Sequence, residues 1–236
     1  MLNQAPVRRD DPDAYEVPGA APLPAPARVV VEVLAPLVTE ARLGRMEAVV
    51  NQRSGSLVVV LEELTDPHNG SAIMRSADAF GVQEVHVIPS QHGFLAAHRI
   101  AKGTHRWLDI VRHPSPEECV EVLHRRGFEV LVAAMDGELT PRDLEEREKV
   151  AVVFGNEHAG ASRAMRGAAD GAFQVPMVGF VESLNVSVAA AVTLSHASLG
   201  HRGDLTPERR EALLARYLMT SVRDAERVVR EHVAKA

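Results

Sequence analysis

Three clusters of polar residues carry the groups that could do chemistry. The first, Asp66-Pro67-His68-Asn69-Gly70-Ser71-Ala72-Ile73-Met74-Arg75, reads as a turn running into a helix. There Ala72, Ile73, Ala77 and Phe80 form the apolar stripe, which leaves Arg75 on a different face. Taken alone, Asn69 is a helix cap and Arg75 a solvated charge. The second cluster, Gly155-Asn156-Glu157-His158-Ala159-Gly160-Ala161-Ser162, follows an apolar run and nearly spells the phosphate-cradling pattern G-x-x-x-x-G-K-[ST]. Ala161 stands where the lysine should be, so nucleoside triphosphate hydrolysis is rejected. Its glycines still admit close approach of a ligand, and Glu157 is a carboxylate at a strand end; a tight turn is the plain alternative. The third cluster joins Val175-Pro176-Met177-Val178-Gly179 to Ser183-Leu184-Asn185-Val186-Ser187 and the small-residue run 188–192. Ser183 can cap a helix whose first turn offers free backbone N–H groups, although in isolation this is an ordinary buried helix.

All three clusters follow apolar runs of strand length. Residues 57–61, 85–88, 130–133, 150–154 and 173–177 are continuous rather than alternating, which predicts strands covered on both faces in a mostly parallel α/β sheet. Helices are predicted over 72–80, closed by Gly81, over 116–126, closed by Gly127, and from about Leu184. Open α/β sheets place ligands beyond the carboxyl ends of their strands, where these clusters fall. Residues 1–27 read as a disordered tail, 28–55 as a basic amphipathic helical extension, 56–202 as one α/β domain, and 203–236 as a second helical extension with Thr206 as its cap. The most cationic window, 92–113, holds His92, His98, Arg99, Lys102, His105, Arg106, Arg112 and His113 against Asp109 alone; it suits a phosphate-contacting loop or a solvated one.

Composition bounds the rest. The chain has 236 residues, 46% hydrophobic and 25% charged, with a net charge of −6; it reads as a globular protein of one or two domains and argues against a wholly cationic surface. No apolar stretch is long enough for a membrane span, no secretory leader is visible, and the lone Cys119 cannot form an intrachain disulfide, so a cytoplasmic setting is expected. No dinucleotide fingerprint, nucleophile elbow, H-E-x-x-H or paired C-x-x-C occurs, and no metal centre is expected.

In this order, the clusters resemble the motifs of the SPOUT class of RNA methyltransferases, in its SpoU/TrmH branch of ribose 2'-O-methyltransferases. Asn69, Ile73 and Arg75 match N-x-x-x-I-x-R; Gly155, Glu157 and Gly160 match G-x-E-x-x-G; and Val175-Pro176-Met177 with Ser183-Leu184-Asn185-Val186-Ser187 matches the third motif. The similarity spans roughly residues 45–202, and Gly103-Thr104-His105-Arg106-Trp107 favours the tRNA guanosine-18 subgroup. The resemblance implies a C-terminal trefoil knot, a homodimer and S-adenosyl-methionine as cofactor. It implies Arg75, Asn69, Glu157, Ser183 and Asn185 as catalytic positions. It places Ala133, Met135, Gly155, Asn156, Val175, Met177, Gly179, Leu184 and Ser187 around the cofactor. Arg45, Arg53, Arg99, Lys102, His105 and Arg106 are the expected RNA contacts. The reaction it implies is in-line attack of a ribose 2'-oxygen on a sulfonium methyl, with Arg75 as the group nearest the proton to be removed, an awkward task because a guanidinium holds its own proton at neutral pH. Ribosomal RNA as substrate, and a non-catalytic RNA-binding module, are the competing expectations.

Overall fold

The computed structural model describes residues 22–89 and 106–235. Residues 1–21 of the tail assigned to 1–27 lie outside these, as do Arg99, Lys102 and His105. Six strands form one sheet, β1 (Leu57–Glu62), β2 (Glu84–Ile88), β3 (Asp109–Arg112), β4 (Glu129–Ala133), β5 (Val150–Phe154) and β6 (Gly171–Phe173), in the order β3-β2-β1-β5-β4-β6. Every pairing is parallel. The apolar runs are explained by cover on both sides: Leu57, Val59 and Leu61 point to one face, Val58 and Val60 to the other, and all are buried.

Helix α3 (Pro67–Ala79) leaves the end of β1 for the first face, where Ile73, Met74 and Ala77 pack. The short α5 (Arg163–Ala168) leaves the end of β5 for the second, through Met165, beside α4 (Pro116–Arg125) with Cys119, Val120 and Leu123. Neighbouring strands whose connections diverge to opposite faces open a crevice at their carboxyl ends. The long α6 (Val186–Ala197) lies on the first face through Ala190, Leu194 and Ala197, against α3.

Several boundaries differ from the sequence reading. Helix α3 begins five residues early because Asp66 is the cap, its carboxylate accepting from the His68 N–H at 2.8 Å with Pro67 in the first position. Asn69 is therefore free of capping. The cap of α6 is Asn185 rather than Ser183: its Oδ1 accepts from the Ser187 N–H at 2.9 Å and the Ser187 hydroxyl at 2.6 Å. The last strand stops at Phe173, and Val175-Pro176-Met177 runs on unpaired, Pro176 having no N–H for a ladder. In the cationic window, residues 109–112 are strand β3 and His113 is buried.

The extensions are each broken once. Residues 28–55 form α1 (Ala27–Leu34) and α2 (Glu40–Val50), separated at Pro36 and restarted by the Thr39 cap; residues 207–233 form α7 (Pro207–Ser221) and α8 (Ala225–Val233), separated where Asp224 takes φ of 54°. Val30, Leu34, Met46 and Val50 share one apolar cluster with Leu213, Leu218 and Val229, so the two extensions make a single helical layer. Ion pairs of Arg209 with Glu84 at 2.7 Å and of Arg216 with Asp109 at 2.9 Å fasten it to β2 and β3.

After α6 the chain passes tightly under the segment joining β4 to β5. His201 Nε2 sits 3.0 Å from the Leu144 carbonyl, and a Cβ placed on Gly200 would lie 2.0 Å from the Glu145 carbonyl oxygen. Neither backbone can yield cheaply, so Gly200→Ala is expected to cost about 1–3 kcal/mol, read as a lowered urea midpoint at unchanged slope.

Candidate active site

At the crevice, the carboxylate of Glu157 collects four donors from the β1 side. The Thr65 N–H at 3.0 Å and Thr65 hydroxyl at 2.8 Å reach Oε2; the Asp66 N–H at 3.1 Å and Asn69 Nδ2 at 3.0 Å reach Oε1. Asn69 in turn accepts at Oδ1 from Asn185 Nδ2, 3.1 Å away. Asn185 spends its own Oδ1 on capping α6. One continuous chain of hydrogen bonds thus links the ends of β1 and β5 to the start of α6. Partial burial opposes ionisation of Glu157, but the Asn69 and Thr65 donors outweigh it and hold the carboxyl at about 2.

The loop bearing Glu157 is itself fixed. Asn156 and Gly160 exchange backbone hydrogen bonds at 3.0 and 2.9 Å, Gly160 adopts φ of 68°, and Asn156 Nδ2 donates to the Glu63 carbonyl at 2.9 Å. Gly155 has no room for a side chain, since a Cβ would stand 2.3 Å from the Ala161 nitrogen. Beneath it, buried Glu62 accepts from the Ser162 N–H at 3.0 Å and hydroxyl at 2.5 Å, while Ser162 caps α5. Burial pushes the Glu62 carboxyl up despite those bonds.

Of the expected catalytic residues, the structure brings Asn69, Glu157 and Asn185 into one network. Arg75 and Ser183 stand outside it, both exposed, and their side chains make no hydrogen bond among the described residues. Thr65, which gives Glu157 two of its four bonds, is absent from the sequence reading. The Asp66-Pro67 pair was the available signal, because a cap there places the preceding residue at the mouth of the turn.

The expected cofactor positions lie at the ends or beyond the ends of adjacent strands: Ala133 and Met135 after β4, Gly155 and Asn156 after β5, Val175, Met177 and Gly179 after β6, with Leu184 and Ser187 at the start of α6. No backbone N–H from 175 to 184 donates within the chain among the described residues, and Met135 is exposed beside this segment's strand. Free backbone donors next to apolar thioether and aliphatic side chains suit a ligand with a purine edge and a sulfonium. These residues fit S-adenosyl-methionine.

Arg53 requires a correction as an RNA contact. It is 1% exposed, its Nε donates to the Tyr217 hydroxyl at 3.0 Å, its Nη1 to the Asp78 and Val82 carbonyls at 3.2 Å, and it pairs with the Asp78 carboxylate. The guanidinium fastens α2 and α7 to the turn after α3. Arg53→Leu is expected to lower stability by about 1–3 kcal/mol and to leave the salt dependence of RNA binding unchanged, by denaturant titration and by binding at several ionic strengths. Arg45 and Arg106 are exposed as an RNA contact requires.

Residues 56–195 match the sequence profile of the SpoU rRNA Methylase family. The chain belongs to the SpoU methylase family. A tRNA (guanosine(18)-2'-O)-methyltransferase of Thermus thermophilus is 39% identical over 188 residues, covering 76% of this chain and 97% of the relative. A protein of the same name from Escherichia coli is 32% identical over 157 residues, 66% of this chain and 69% of its own. Among solved structures, the A. aeolicus TrmH/SpoU tRNA modifying enzyme superposes with a TM-score of 0.69 at 28% identity, over 78% of this chain and 98% of that one. The SpoU methyltransferase AviRb from Streptomyces viridochromogenes, solved in complex with AdoMet, gives 0.56 at 29% identity, over 64% and 62%. This SpoU methylase carries the three sequence clusters at one crevice, joined to one another through Asn69, Glu157 and Asn185 and to the turn before α3 through Thr65.

Proposed function

We propose that the chain transfers a methyl group from S-adenosyl-methionine to the 2'-hydroxyl of guanosine 18 in tRNA. The observation that carries this is the Asn69–Glu157–Asn185 network at the sheet crevice, in a chain that spans nearly the whole length of a tRNA guanosine-18 methyltransferase. When bound, the cofactor supplies an electrophilic methyl on sulfur. Glu157 and Asn69 hold the turn before α3 against the loop after β5, which fixes where the target ribose can rest. Arg75, one helical turn and a half beyond Asn69, contacts the ribose hydroxyl and its phosphate. Ser183 and Asn185 close the RNA side. Arg45 and Arg106, with Arg99, Lys102 and His105, contact the RNA backbone.

A C-terminal knot belongs to this reading. It is supported by the passage of residues 198–201 under the 144–145 backbone. So does a homodimer, supported by Val178, Phe180, Val181 and Val188, large apolar side chains exposed on the loop and helix that end the sheet. Light scattering is expected to give twice the 25.6 kDa chain mass. No described helix is long and apolar enough to cross a membrane.

The test is transfer of labelled methyl from S-adenosyl-methionine to unmodified tRNA and, separately, to ribosomal RNA, with the product nucleotide mapped. Ribose label at guanosine 18 is the expected result. Label in ribosomal RNA alone would keep the chemistry and overturn the substrate; no label in either, with an active control enzyme alongside, would favour a binding module.

A further inference from the structure

A second constellation lies on the opposite face of the sheet from α3 and takes no part in methyl transfer. His86 sits in β2, in register with Val60 of β1 and Val111 of β3, and shares their layer with Cys119 of α4. His113 follows β3 directly, its N–H bonded to the Val87 carbonyl at 2.9 Å. All three side chains are buried. His86 Nδ1 and His113 Nε2 lie 2.8 Å apart, and one donor atom from each of the two imidazoles and from the Cys119 thiol lies within 4.8 Å of the others.

The outward ring nitrogens are the informative ones. His86 Nε2 lies 3.5 Å from Glu84 Oε2, and His113 Nδ1 lies 3.7 Å from Glu118 Oε1. Both nitrogens are buried without a hydrogen bond. A neutral histidine pair sharing one proton leaves one outer nitrogen as an acceptor, and an acceptor facing a carboxylate is unfavourable. If both inner nitrogens instead give their lone pairs to a cation, both outer nitrogens carry protons, and each proton faces a carboxylate. That is the carboxylate–histidine–metal arrangement which orients ligating imidazoles and raises their basicity.

We propose that His86 Nδ1, His113 Nε2 and Cys119 Sγ bind one zinc-class ion, with Glu84 and Glu118 as the outer carboxylates. Two imidazoles and a thiolate select a thiophilic cation over magnesium or calcium, and three protein ligands leave a fourth position for water. Ligation breaks the Cys119 S–H bond, and the proton leaves to solvent. Tetrahedral zinc sets ligand nitrogens about 3.3 Å apart, so the two imidazoles separate by about half an ångström on binding. Zinc and one thiolate leave a unit of positive charge facing the buried Glu84, which Arg126 and Arg209 also pair. The ion ties β2, the end of β3 and α4 together.

The experiment uses the full chain without a histidine tag, stripped with chelator and titrated with zinc against a chromophoric competitor, then with cobalt as a spectroscopic probe. One zinc per chain is expected, together with a thiolate-to-cobalt charge-transfer band in the near ultraviolet. Cys119→Ala is expected to lose that band while keeping its far-ultraviolet circular dichroism. Glu118→Gln, at a half-exposed position, is expected to bind zinc about 10- to 100-fold more weakly with an unchanged metal-free melting temperature. The absence of saturable one-to-one zinc uptake by the wild type, or a cobalt spectrum unchanged in Cys119→Ala, would overturn the site.

Discussion

Replacing Arg75 by Ala is expected to lower methyl-transfer turnover by about 10²- to 10⁴-fold, the range over which a group that contacts the reacting hydroxyl and its proton acts. Stability should stay within about 0.5 kcal/mol of wild type, as for surface substitutions away from packing or polar networks. The structure gives the reason for this separation. Arg75 is exposed on α3 while Ile73, Met74 and Ala77 beside it are buried, so the helix is held without it. Arg75→Lys refines the result, because lysine keeps the charge and loses the planar fork. Single-turnover assays with both variants, beside thermal melts, decide it: near-normal turnover in Arg75→Lys would remove the bidentate role, and near-normal turnover in Arg75→Ala would remove Arg75 from the chemistry.

Glu157→Ala is expected to affect both folding and activity. It strips the shared acceptor from Thr65, Asp66 and Asn69, and Asn69 is the buried member that water reaches least. A loss of about 1.5–3 kcal/mol follows from deleting a charged acceptor. Turnover should fall by about 10²-fold or more, since displacing the turn before α3 by an ångström is enough for that. Glu157→Gln separates charge from shape. The wild-type carboxyl is held at about 2 against an ordinary 4.5, so its ionised form stabilises the fold fully above pH 4.5, and that contribution disappears as pH falls toward 2. The stability gap between wild type and Glu157→Gln should therefore be constant above pH 4.5 and shrink below it. Denaturant titrations at several pH values measure this, and a gap that widens on acidification would contradict the network.

The same residues show what a sequence discloses. Strands β1, β4 and β5 were legible because burial on two faces demands unbroken apolar runs, and α3 and α4 because Gly81 and Gly127, with φ of 84° and 80°, mark their ends. Strand β3 was hidden: it has only four residues, and the charge of its first residue, Asp109, is matched by Arg216, which arrives 107 positions later. Arg53 was misread for the same reason, as nothing near it in the sequence announces Tyr217. At the candidate site, motif order singled out Asn69, Glu157 and Asn185, but not that their side chains bond one another, nor that Thr65 joins them. Residue types at fixed spacing report a local turn, whereas a bond between positions 69 and 185 depends on the path of the whole sheet.

That path has a consequence for biosynthesis. Asn69 leaves the ribosome long before Glu157, 88 residues later, and Asn185, 116 residues later, so no nascent fragment ending short of α6 holds a complete site. Until β5 emerges, β1 has no neighbour on that side and exposes an apolar parallel edge. Release of α6, rather than of any strand, is therefore the earliest point at which the three side chains can meet.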